Sequence, residues 1–153
     1  MKYNRSFFLL PLLVLLMSCT TANNKSSVEE QAVAKTVNLK GLSKAYFASG
    51  CFWCVEAVFE SVKGVSEAVS GYSGGVVENP TYEQISTGRL KHAEAVEVYY
   101  DPAVVSYETL VKVFFGSHDP TTPNQQGPDR GPQYRSMIYY QNEAEQKLAE
   151  AYI

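Results

Sequence analysis

The chain has 153 residues, of which 45% are hydrophobic and 19% are charged, and its formal net charge is −3. This hydrophobic content supports one ordinary core, so we expect a single folded domain. The negative charge and the absence of a basic run argue against a protein that binds nucleic acid. Three cysteines are too few for a scaffold built on disulfides, and their positions, 19, 51 and 54, indicate separate roles.

The N-terminal residues have the pattern of an export signal. Lys2 and Arg5 precede an apolar run over residues 7–17, which is too short to span a bilayer as a stable helix. The run ends at Cys19, and the segment LMSC resembles a bacterial lipobox, whose cysteine is diacylated. An ordinary secretory signal, with Cys19 as a bystander, is the alternative. In both cases the protein leaves the cytoplasm.

We therefore predict a signal peptide over residues 1–18 and a flexible tether over residues 19–43, a polar segment with little aromatic content. The domain is expected to be held in the bacterial cell envelope by lipid on Cys19 alone. Thr20, rather than Asp, follows the cysteine, and by resemblance to lipoprotein sorting this favours the outer membrane. The domain then faces the periplasm.

Residues 44–153 are predicted to form one domain of alternating strands and helices. Strands are predicted over residues 45–49, 65–72, 93–99 and 134–140, and helices over residues 52–62, 79–85, 107–115 and from 142 onward. Residues 119–132, dense in Pro, Gly, Asn and Gln, predict a loop. The expected fold class is α/β (α+β), a two-layer sandwich with a mixed central sheet covered by helices. No stop signal precedes Ile153, so we expect the chain to stop within its last helix and to be incomplete there.

Cys51 lies where a predicted strand meets a predicted helix. Gly50 permits a sharp turn before it, and the helix N-terminus stabilises a thiolate. We predict a nucleophile, although a small buried structural cysteine is the alternative. Phe52 and Trp53 follow, and consecutive helical residues point about 100° apart, so both cannot face the core. At least one is predicted to form an apolar wall beside the thiol, suited to a methyl group.

Glu94 shares a strand face with Val96 and Val98, so burial is expected to raise its pKa and keep it protonated at neutral pH. An exposed glutamate on an edge strand is the alternative. Tyr82 and Tyr134 each follow a turn-forming stretch and can aim an O–H into a cleft, although half-buried tyrosines without such a role are common. Asp129 lies in a Gly-Pro-Asp-Arg-Gly loop, where a turn former is the default interpretation.

Six segments, in this order and spacing, resemble the peptide methionine sulfoxide reductases of the A type: GCFWC, GYSGG, NPTYEQISTG, HAEAVEVYYDP, HDPT and GPDRGPQYRS. The resemblance runs from about Ala45 to the end of the chain. It implies a ferredoxin-like α/β fold and reduction of the S epimer of methionine sulfoxide, free or in proteins, to methionine (EC 1.8.4.11). Such an enzyme repairs proteins damaged by oxidative stress.

The resemblance also implies roles for single residues. It places the catalytic cysteine at Cys51, the methyl-binding pair at Phe52 and Trp53, the acid at Glu94, the oxygen-binding tyrosines at Tyr82 and Tyr134, and a supporting carboxylate at Asp129. The sulfenic acid formed on the cysteine is resolved to a disulfide, which a thioredoxin-like dithiol reduces. No metal or organic cofactor is implied, and we expect a monomer.

Two departures from the family pattern concern the regeneration of Cys51. Position 54 is Cys where many members have Gly, and a C-terminal segment that often carries resolving cysteines does not follow in this sequence. Cys54 lies three positions after Cys51, on nearly the same helix face, and is a candidate resolving thiol. A packing role for Cys54 is the alternative, and a fused domain for the R epimer beyond Ile153 stays open.

Three other interpretations are weighed against this one. A thioredoxin-like disulfide oxidoreductase also has a CxxC motif at a helix N-terminus, but the five downstream segments have no place in it. A zinc module built on Cys51, Cys54, His92 and His118 has spacings that fit no common finger. A lipoprotein that keeps the fold without activity is the third, and an assay of sulfoxide reduction decides it.

Overall fold

The structure, a computed structural model, describes residues 38–153. Within these residues there are six strands: β1 (Ser43–Ser49), β2 (Val65–Ser73), β3 (Ala93–Tyr100), β4 (Gln125–Gln126), β5 (Asp129–Arg130) and β6 (Ser136–Tyr139). The α-helices of the described part are α1 (Phe52–Glu60), α2 (Tyr82–Ser86), α3 (Tyr107–Ser117) and α4 (Glu143–Glu150), and a 3-10 helix covers Pro132–Tyr134. Cys19, the predicted signal peptide and most of the predicted tether lie outside the described residues. No helix within residues 38–153 is long and apolar enough to cross a membrane.

Four strands form the central sheet, in the order β2-β3-β1-β6, and each neighbouring pair is antiparallel. The α/β class is confirmed, but the predicted mixed sheet is wrong. Alternating strands and helices suggested parallel neighbours; instead, β3 inserts between β1 and β2 and runs opposite to both. The remaining strands, β4 and β5, pair with each other as a short hairpin inside the segment that we predicted to be a loop.

One face of the sheet carries the main core. Phe47 of β1 stacks on Phe59 of α1, with ring centroids 4.7 Å apart, and on Phe114 of α3, at 5.6 Å. The three rings are at most 2% exposed. Burying a side chain of this size stabilises the fold by about 1.5–3 kcal/mol. The core therefore holds α1 and α3 against the sheet, and it fixes the position at which α1 begins.

Local capping sets the start of two helices as predicted. Ser106 accepts a hydrogen bond from the Thr109 N–H at 3.2 Å and caps α3. Asn142 accepts one from the Glu145 N–H at 3.0 Å and caps α4. Each side chain replaces an intrahelical partner that the first turn lacks.

The predicted start of the last strand is wrong. The last strand was predicted from position 134, but Pro132 begins a 3-10 helix, and β6 starts only at Ser136.

Candidate active site

Cys51 lies between β1 and α1 and occupies the N-cap position of α1. Gly50 makes the preceding turn with a φ of +101°, and a Cβ at this position would lie 2.8 Å from the Cβ of Gln126. Both the torsion angle and the space therefore require glycine. The Cys51 side chain is half-buried. It lies at the N-terminus of α1, where backbone N–H groups lack an intrahelical acceptor.

Four aromatic rings form a wall that begins next to Cys51 and consists of Phe52, Trp53, Tyr72 and Tyr82; we refer to it as the aromatic wall. Phe52 is 6% exposed and Trp53 is 64% exposed, so the two consecutive rings do face different surroundings, as predicted. Trp53 and Tyr82 stack, with centroids 6.1 Å apart, and the Phe52 and Tyr72 centroids are 5.6 Å apart. The wall is buried at Phe52 and open to solvent at Trp53 and Tyr82.

Glu94 is 2% exposed and lies on β3, an inner strand of the sheet. It is therefore not the exposed edge-strand glutamate of the alternative interpretation. The Phe52 N–H donates a hydrogen bond to Glu94 Oε2 at 3.1 Å. Burial raises the pKa of Glu94, the hydrogen bond from Phe52 opposes this, and the negative charge of Asp129 raises it further. The net effect favours the protonated carboxyl.

Glu97 lies on the same strand but on the opposite face, and its environment is the reverse. It accepts hydrogen bonds from Lys44 Nζ at 2.6 Å, Tyr46 Oη at 3.0 Å and Tyr99 Oη at 2.9 Å. Burial alone would raise its pKa, but these donors outweigh burial, and the pKa of Glu97 is lowered. The strand β3 thus carries one carboxyl whose pKa is raised, that of Glu94, and one whose pKa is lowered, that of Glu97.

Tyr72, Tyr134 and Asp129 lie within electrostatic reach of Glu94. Tyr72 is directly opposite Glu94 in the pairing of β2 with β3. Burial and then the charge of Glu94 raise the pKa of Tyr72 and of Tyr134, so both phenols remain O–H donors at neutral pH. The charge of Asp129 acts on Glu94 and on Tyr134. Tyr72 was missed from the sequence; its position in the GYSGG strand was the available signal.

A cleft of about 240 Å³ lies beside the two cysteines, and we name it the thiol cleft. Its lining includes Cys51, Cys54, Val58, His118 and Asp129, and it includes no residue of the aromatic wall. The Cys54 side chain is exposed. The charge of Cys51 is the main cause that raises the pKa of the Cys54 thiol, and burial adds to it. The raised pKa favours the protonated thiol at Cys54.

The two histidines that were weighed as zinc ligands have other partners. His118 Nδ1 donates to the Phe114 carbonyl at 2.7 Å, and its Nε2 is 2.8 Å from Ser136 Oγ. Burial lowers the pKa of His118, so the neutral ring is favoured. His92 Nε2 donates to the Val77 carbonyl at 2.9 Å. Across residues 38–153, no group of three or more Cys, His, Asp or Glu side chains is placed to hold a metal ion.

His92 ties the loop before α2 to the start of β3. The ring is 4% exposed, and its Nδ1 is buried without a hydrogen-bond partner. It packs directly on the backbone of Gly75, where a Cβ would lie 2.1 Å from Nδ1. The loop that His92 holds through Val77 leads to Tyr82, and Glu94 follows His92 by two residues. The histidine therefore joins the segments that carry these two candidate site residues.

The structure brings together the site residues that the sequence predicted within the described part of the chain. Cys51, Cys54 and Asp129 share the thiol cleft. Glu94 contacts the first residue of α1, and Tyr82 stacks on Trp53.

The proteins that this chain resembles in sequence are peptide methionine sulfoxide reductases. The family model described as peptide methionine sulfoxide reductase matches residues 43–153. The peptide methionine sulfoxide reductase MsrA of Pasteurella multocida is 56% identical over 106 residues, which cover 69% of this chain and 61% of the relative. MsrA 1 of Rhodopirellula baltica is 53% identical over 110 residues, which cover 72% of this chain and 57% of the relative.

Two solved structures are also similar to this chain. Methionine sulfoxide reductase A of Corynebacterium diphtheriae is similar with a TM-score of 0.69 and 38% identity, over 74% of this chain and 57% of that chain. Mxr1 from Saccharomyces cerevisiae in reduced form is similar with a TM-score of 0.68 and 32% identity, over 76% of this chain and 70% of that chain.

This chain belongs to the peptide methionine sulfoxide reductase family. Its named relatives are of the MsrA type, so the resemblance predicted from the six sequence segments is confirmed. The chain spans 57% and 61% of the lengths of the two curated relatives.

Proposed function

We propose that this protein reduces the S epimer of methionine sulfoxide, free or within proteins, to methionine, with Cys51 as the nucleophile. It acts as a peptide-methionine (S)-S-oxide reductase in the repair of oxidised proteins. The observation that carries the proposal is the hydrogen bond of 3.1 Å from the Phe52 N–H to Glu94 Oε2. It holds a buried carboxyl at the helix start where the Cys51 thiol lies.

Glu94 supplies the proton in this reaction. A sulfoxide sulfur accepts a thiolate only when its oxygen becomes a better leaving group, which requires a proton donor and hydrogen bonds aimed at that oxygen. Burial raises the pKa of Glu94, which favours the protonated carboxyl. The bond from Phe52 occupies Oε2, which leaves Oε1 to carry the proton. Tyr82 and Tyr134 donate hydrogen bonds to the oxygen, and Asp129 helps to hold Glu94 protonated.

The aromatic wall binds the methyl group of the substrate, with Phe52 and Trp53 as its main contacts. This position accounts for the choice of epimer. In the bound substrate the methyl group lies on the wall, the oxygen points to Glu94 and the sulfur faces Cys51. The remaining direction around the sulfur is then left for the rest of the methionine. Only one configuration at a tetrahedral sulfur satisfies these constraints together. The open side at Trp53 admits a side chain that belongs to a protein.

The reaction balances with thiols alone, and we propose no metal or organic cofactor. The Cys51 thiolate attacks the sulfoxide sulfur while Glu94 gives its proton to the sulfoxide oxygen; the bond between this oxygen and the methionine sulfur breaks, the OH group ends on the Cys51 sulfur as a sulfenic acid, and methionine leaves. The Cys54 thiol then attacks the sulfenic sulfur, a Cys51–Cys54 disulfide forms and water leaves. A thioredoxin-like dithiol protein reduces this disulfide and becomes oxidised itself. We propose that the protein performs this cycle as a monomer.

The place of action is also a proposal. Export, diacylation of Cys19 and a tether over residues 19–43 would put the domain in the bacterial envelope, facing the periplasm from the outer membrane. Oxidised envelope proteins are then its substrates. The support for this step is the pattern of the first 20 residues.

The test counts methionine formed by the reduced protein in the absence of any reductant. The S epimer should give about one methionine per chain in a burst, and the R epimer only a trace. Cys51→Ser should give none, because an alkoxide is not available at neutral pH. Equal yields from both epimers, or a burst from Cys51→Ser, would contradict the proposal. A disulfide-exchange assay in parallel separates it from a thioredoxin-like oxidoreductase.

A further inference from the structure

Tyr134 lies on a short helix that its own backbone holds weakly. The 3-10 helix covers only Pro132–Tyr134. The Tyr134 N–H donates to the Gly131 carbonyl at 3.0 Å, and the Arg135 N–H donates to the Pro132 carbonyl at the longer distance of 3.4 Å. Hydrogen bonds in a 3-10 helix have poorer geometry than those in an α-helix. A phenol that must donate to one defined oxygen therefore needs a further contact that fixes this helix.

The Arg135 side chain supplies such a contact. Its Nη1 donates to the Pro132 carbonyl at 2.7 Å, and its Nη2 donates to the Lys91 carbonyl at 2.9 Å. Pro132 is the first residue of the 3-10 helix, and Lys91 lies just before β3, three positions before Glu94. One guanidinium therefore joins the helix that carries Tyr134 to the segment that leads to Glu94.

The same guanidinium also contacts two other strand ends. Its Nε donates to Met137 Sδ at 2.9 Å, within β6. It lies close to Gly74, the residue after β2, which has a φ of +76°. A Cβ at Gly74 would lie 2.9 Å from Nη2 of Arg135, so the glycine leaves room for the guanidinium. Arg135 thus holds together segments next to β2, β3 and β6.

Arg135 is half-buried and has no carboxylate partner in the described part of the chain. The ion pairs within residues 38–153 are Lys44–Glu97 and Lys112–Glu108. Its donors are therefore directed to main-chain carbonyls and a thioether. A guanidinium presents five N–H groups in a rigid plane, whereas a lysine ammonium presents its three donors from a single atom. A lysine at position 135 could not reach acceptors on several segments together.

We propose that Arg135 is a positioning residue for sulfoxide reduction and that it acts through Tyr134. The guanidinium fixes the 3-10 helix to the start of β3, so that the Tyr134 O–H and the Glu94 carboxyl meet the same substrate oxygen. This inference rests on the proposed function, because it requires Tyr134 to donate to the sulfoxide oxygen. It adds a residue that sets the reaction rate from outside the aromatic wall and the thiol cleft.

The loss of Arg135 should affect the chemical step more than substrate binding. The substrate methyl group is held by Phe52 and Trp53 on α1, whereas Tyr134 acts on the oxygen whose bond breaks. A displacement of about 1 Å at a reacting group can cost on the order of 10²-fold in rate. Arg135→Lys should therefore slow the first turnover roughly 10- to 100-fold and leave the half-saturating concentration of the S epimer within about twofold.

The first experiment is a double-mutant cycle on the first-turnover rate, measured by rapid quench. In Tyr134→Phe the phenol O–H is already missing, so the addition of Arg135→Lys should cost little more. In Tyr82→Phe, whose phenol is carried by α2, Arg135→Lys should cost its full factor. A full loss in the Tyr134→Phe background would overturn the proposal, and so would a normal rate in Arg135→Lys alone.

Arg130→Lys is the matched control. Arg130 is exposed, lies in β5 five positions before Arg135, and its Nη1 donates to Gln125 Oε1 at 2.7 Å. The same substitution at this arginine should leave the first-turnover rate unchanged. Circular dichroism checks the fold of both variants. An equal loss of rate in folded Arg130→Lys would show that the effect is not specific to Arg135 and would contradict the proposal.

Arg135→Ala provides a second variant. A cavity of about 370 Å³ lies at the guanidinium and is lined by Gly74, Lys91, Pro132 and Arg135. A free guanidinium ion can enter this space when the side chain is removed. Millimolar guanidinium chloride should therefore restore part of the lost first-turnover rate, whereas sodium chloride at the same concentration should not. The same response to both salts would count against a role of the guanidinium itself.

The second experiment needs no substrate and follows amide exchange in deuterated water by NMR. Arg135→Lys should speed exchange of the Tyr134 N–H by roughly tenfold or more, while the amides of β1 keep their rates. If the unsubstituted protein forms no methionine, the proposed function itself fails, and amide exchange still decides whether Arg135 holds the 3-10 helix. Unchanged exchange at Tyr134 in Arg135→Lys would overturn the inference.

Discussion

Phe52 and Glu94 are joined by a hydrogen bond of 3.1 Å from the backbone N–H to Oε2, which connects the first residue of α1 to the second residue of β3. The two residues are 42 positions apart in the chain. The bond comes from a main-chain group, so its donor does not depend on a flexible side chain. The carboxyl and the Cys51 position therefore keep a fixed relationship, set by the packing of helix on sheet.

Glu94→Gln should slow the first turnover by roughly 10²–10⁴-fold, the usual loss of a general acid. The amide oxygen can still accept the bond from Phe52, but no proton can be transferred. Rapid-quench counting of methionine measures the effect. Glu97→Gln, on the opposite face of the same strand, is the matched control and should keep the normal rate. A normal rate in Glu94→Gln would assign the acid role to another group.

Stability should depend on pH through the same carboxyl. Burial raises the folded-state pKa of Glu94 above 4.5. The contribution of Glu94 to the free energy of unfolding is therefore fully present below pH 4.5, and it is lost as the pH rises through the folded-state pKa. Relative to the unsubstituted protein, Glu94→Gln should gain stability across that window. Urea unfolding from below pH 4.5 to neutral pH measures it, and a difference that stays constant or falls would contradict the burial argument.

His92→Ala should displace Tyr82 from Trp53, because the bond to Val77 is lost. The sequence has one Trp, so its fluorescence and its quenching by acrylamide report this stacking. The first turnover should slow as well. His92→Gln keeps a donor for the Val77 carbonyl and should restore much of both signals. Unchanged Trp53 emission in His92→Ala would show that the histidine does not position the aromatic wall.

Cys54→Ser should permit one turnover and then stall with thioredoxin, because the sulfenic acid on Cys51 has no neighbouring thiol in α1. The measurement is the number of methionines formed per protein with and without thioredoxin. The burst should keep its normal size. Continued turnover driven by thioredoxin would remove Cys54 from the resolving role and would favour a packing role instead.

Cys19→Ala should block lipidation and leave unprocessed or mislocalised precursor, since the proposal places the lipid anchor on Cys19. Labelling of growing cells with palmitate, followed by fractionation of the envelope, measures this. Label that remains on the variant would contradict the lipoprotein prediction and would favour an ordinary secretory signal.

Features set by local chemistry were predictable from the sequence. The helix α1 follows Gly50 and is closed near Gly64, and both glycines have a positive φ, at +101° and +102°. The cap residues Ser106 and Asn142 act within three positions of their partners. The placement of Cys51 at a helix start follows from the same signals, because a turn and a cap need only neighbouring residues.

Features that depend on distant pairing were not predictable. The order β2-β3-β1-β6 depends on contacts such as Phe47 with Ile138, for which the intervening sequence gives no local signal. Tyr72 belongs to the site because β2 pairs with β3 and places it opposite Glu94. The thiol cleft likewise depends on residues 126–129, which lie far along the chain from α1.

The strand order has a consequence for partial unfolding. Cys51 follows β1 and Glu94 lies on β3, and these are the two inner strands, each hydrogen-bonded to a neighbour on both sides. Opening an inner strand requires much of the global unfolding free energy, whereas the edge strands β2 and β6 can fray at lower cost. Amide protons of β1 and β3 should therefore exchange last in deuterated water. Glu94 and Cys51 therefore stay together under conditions that already open the edge strands of the sheet.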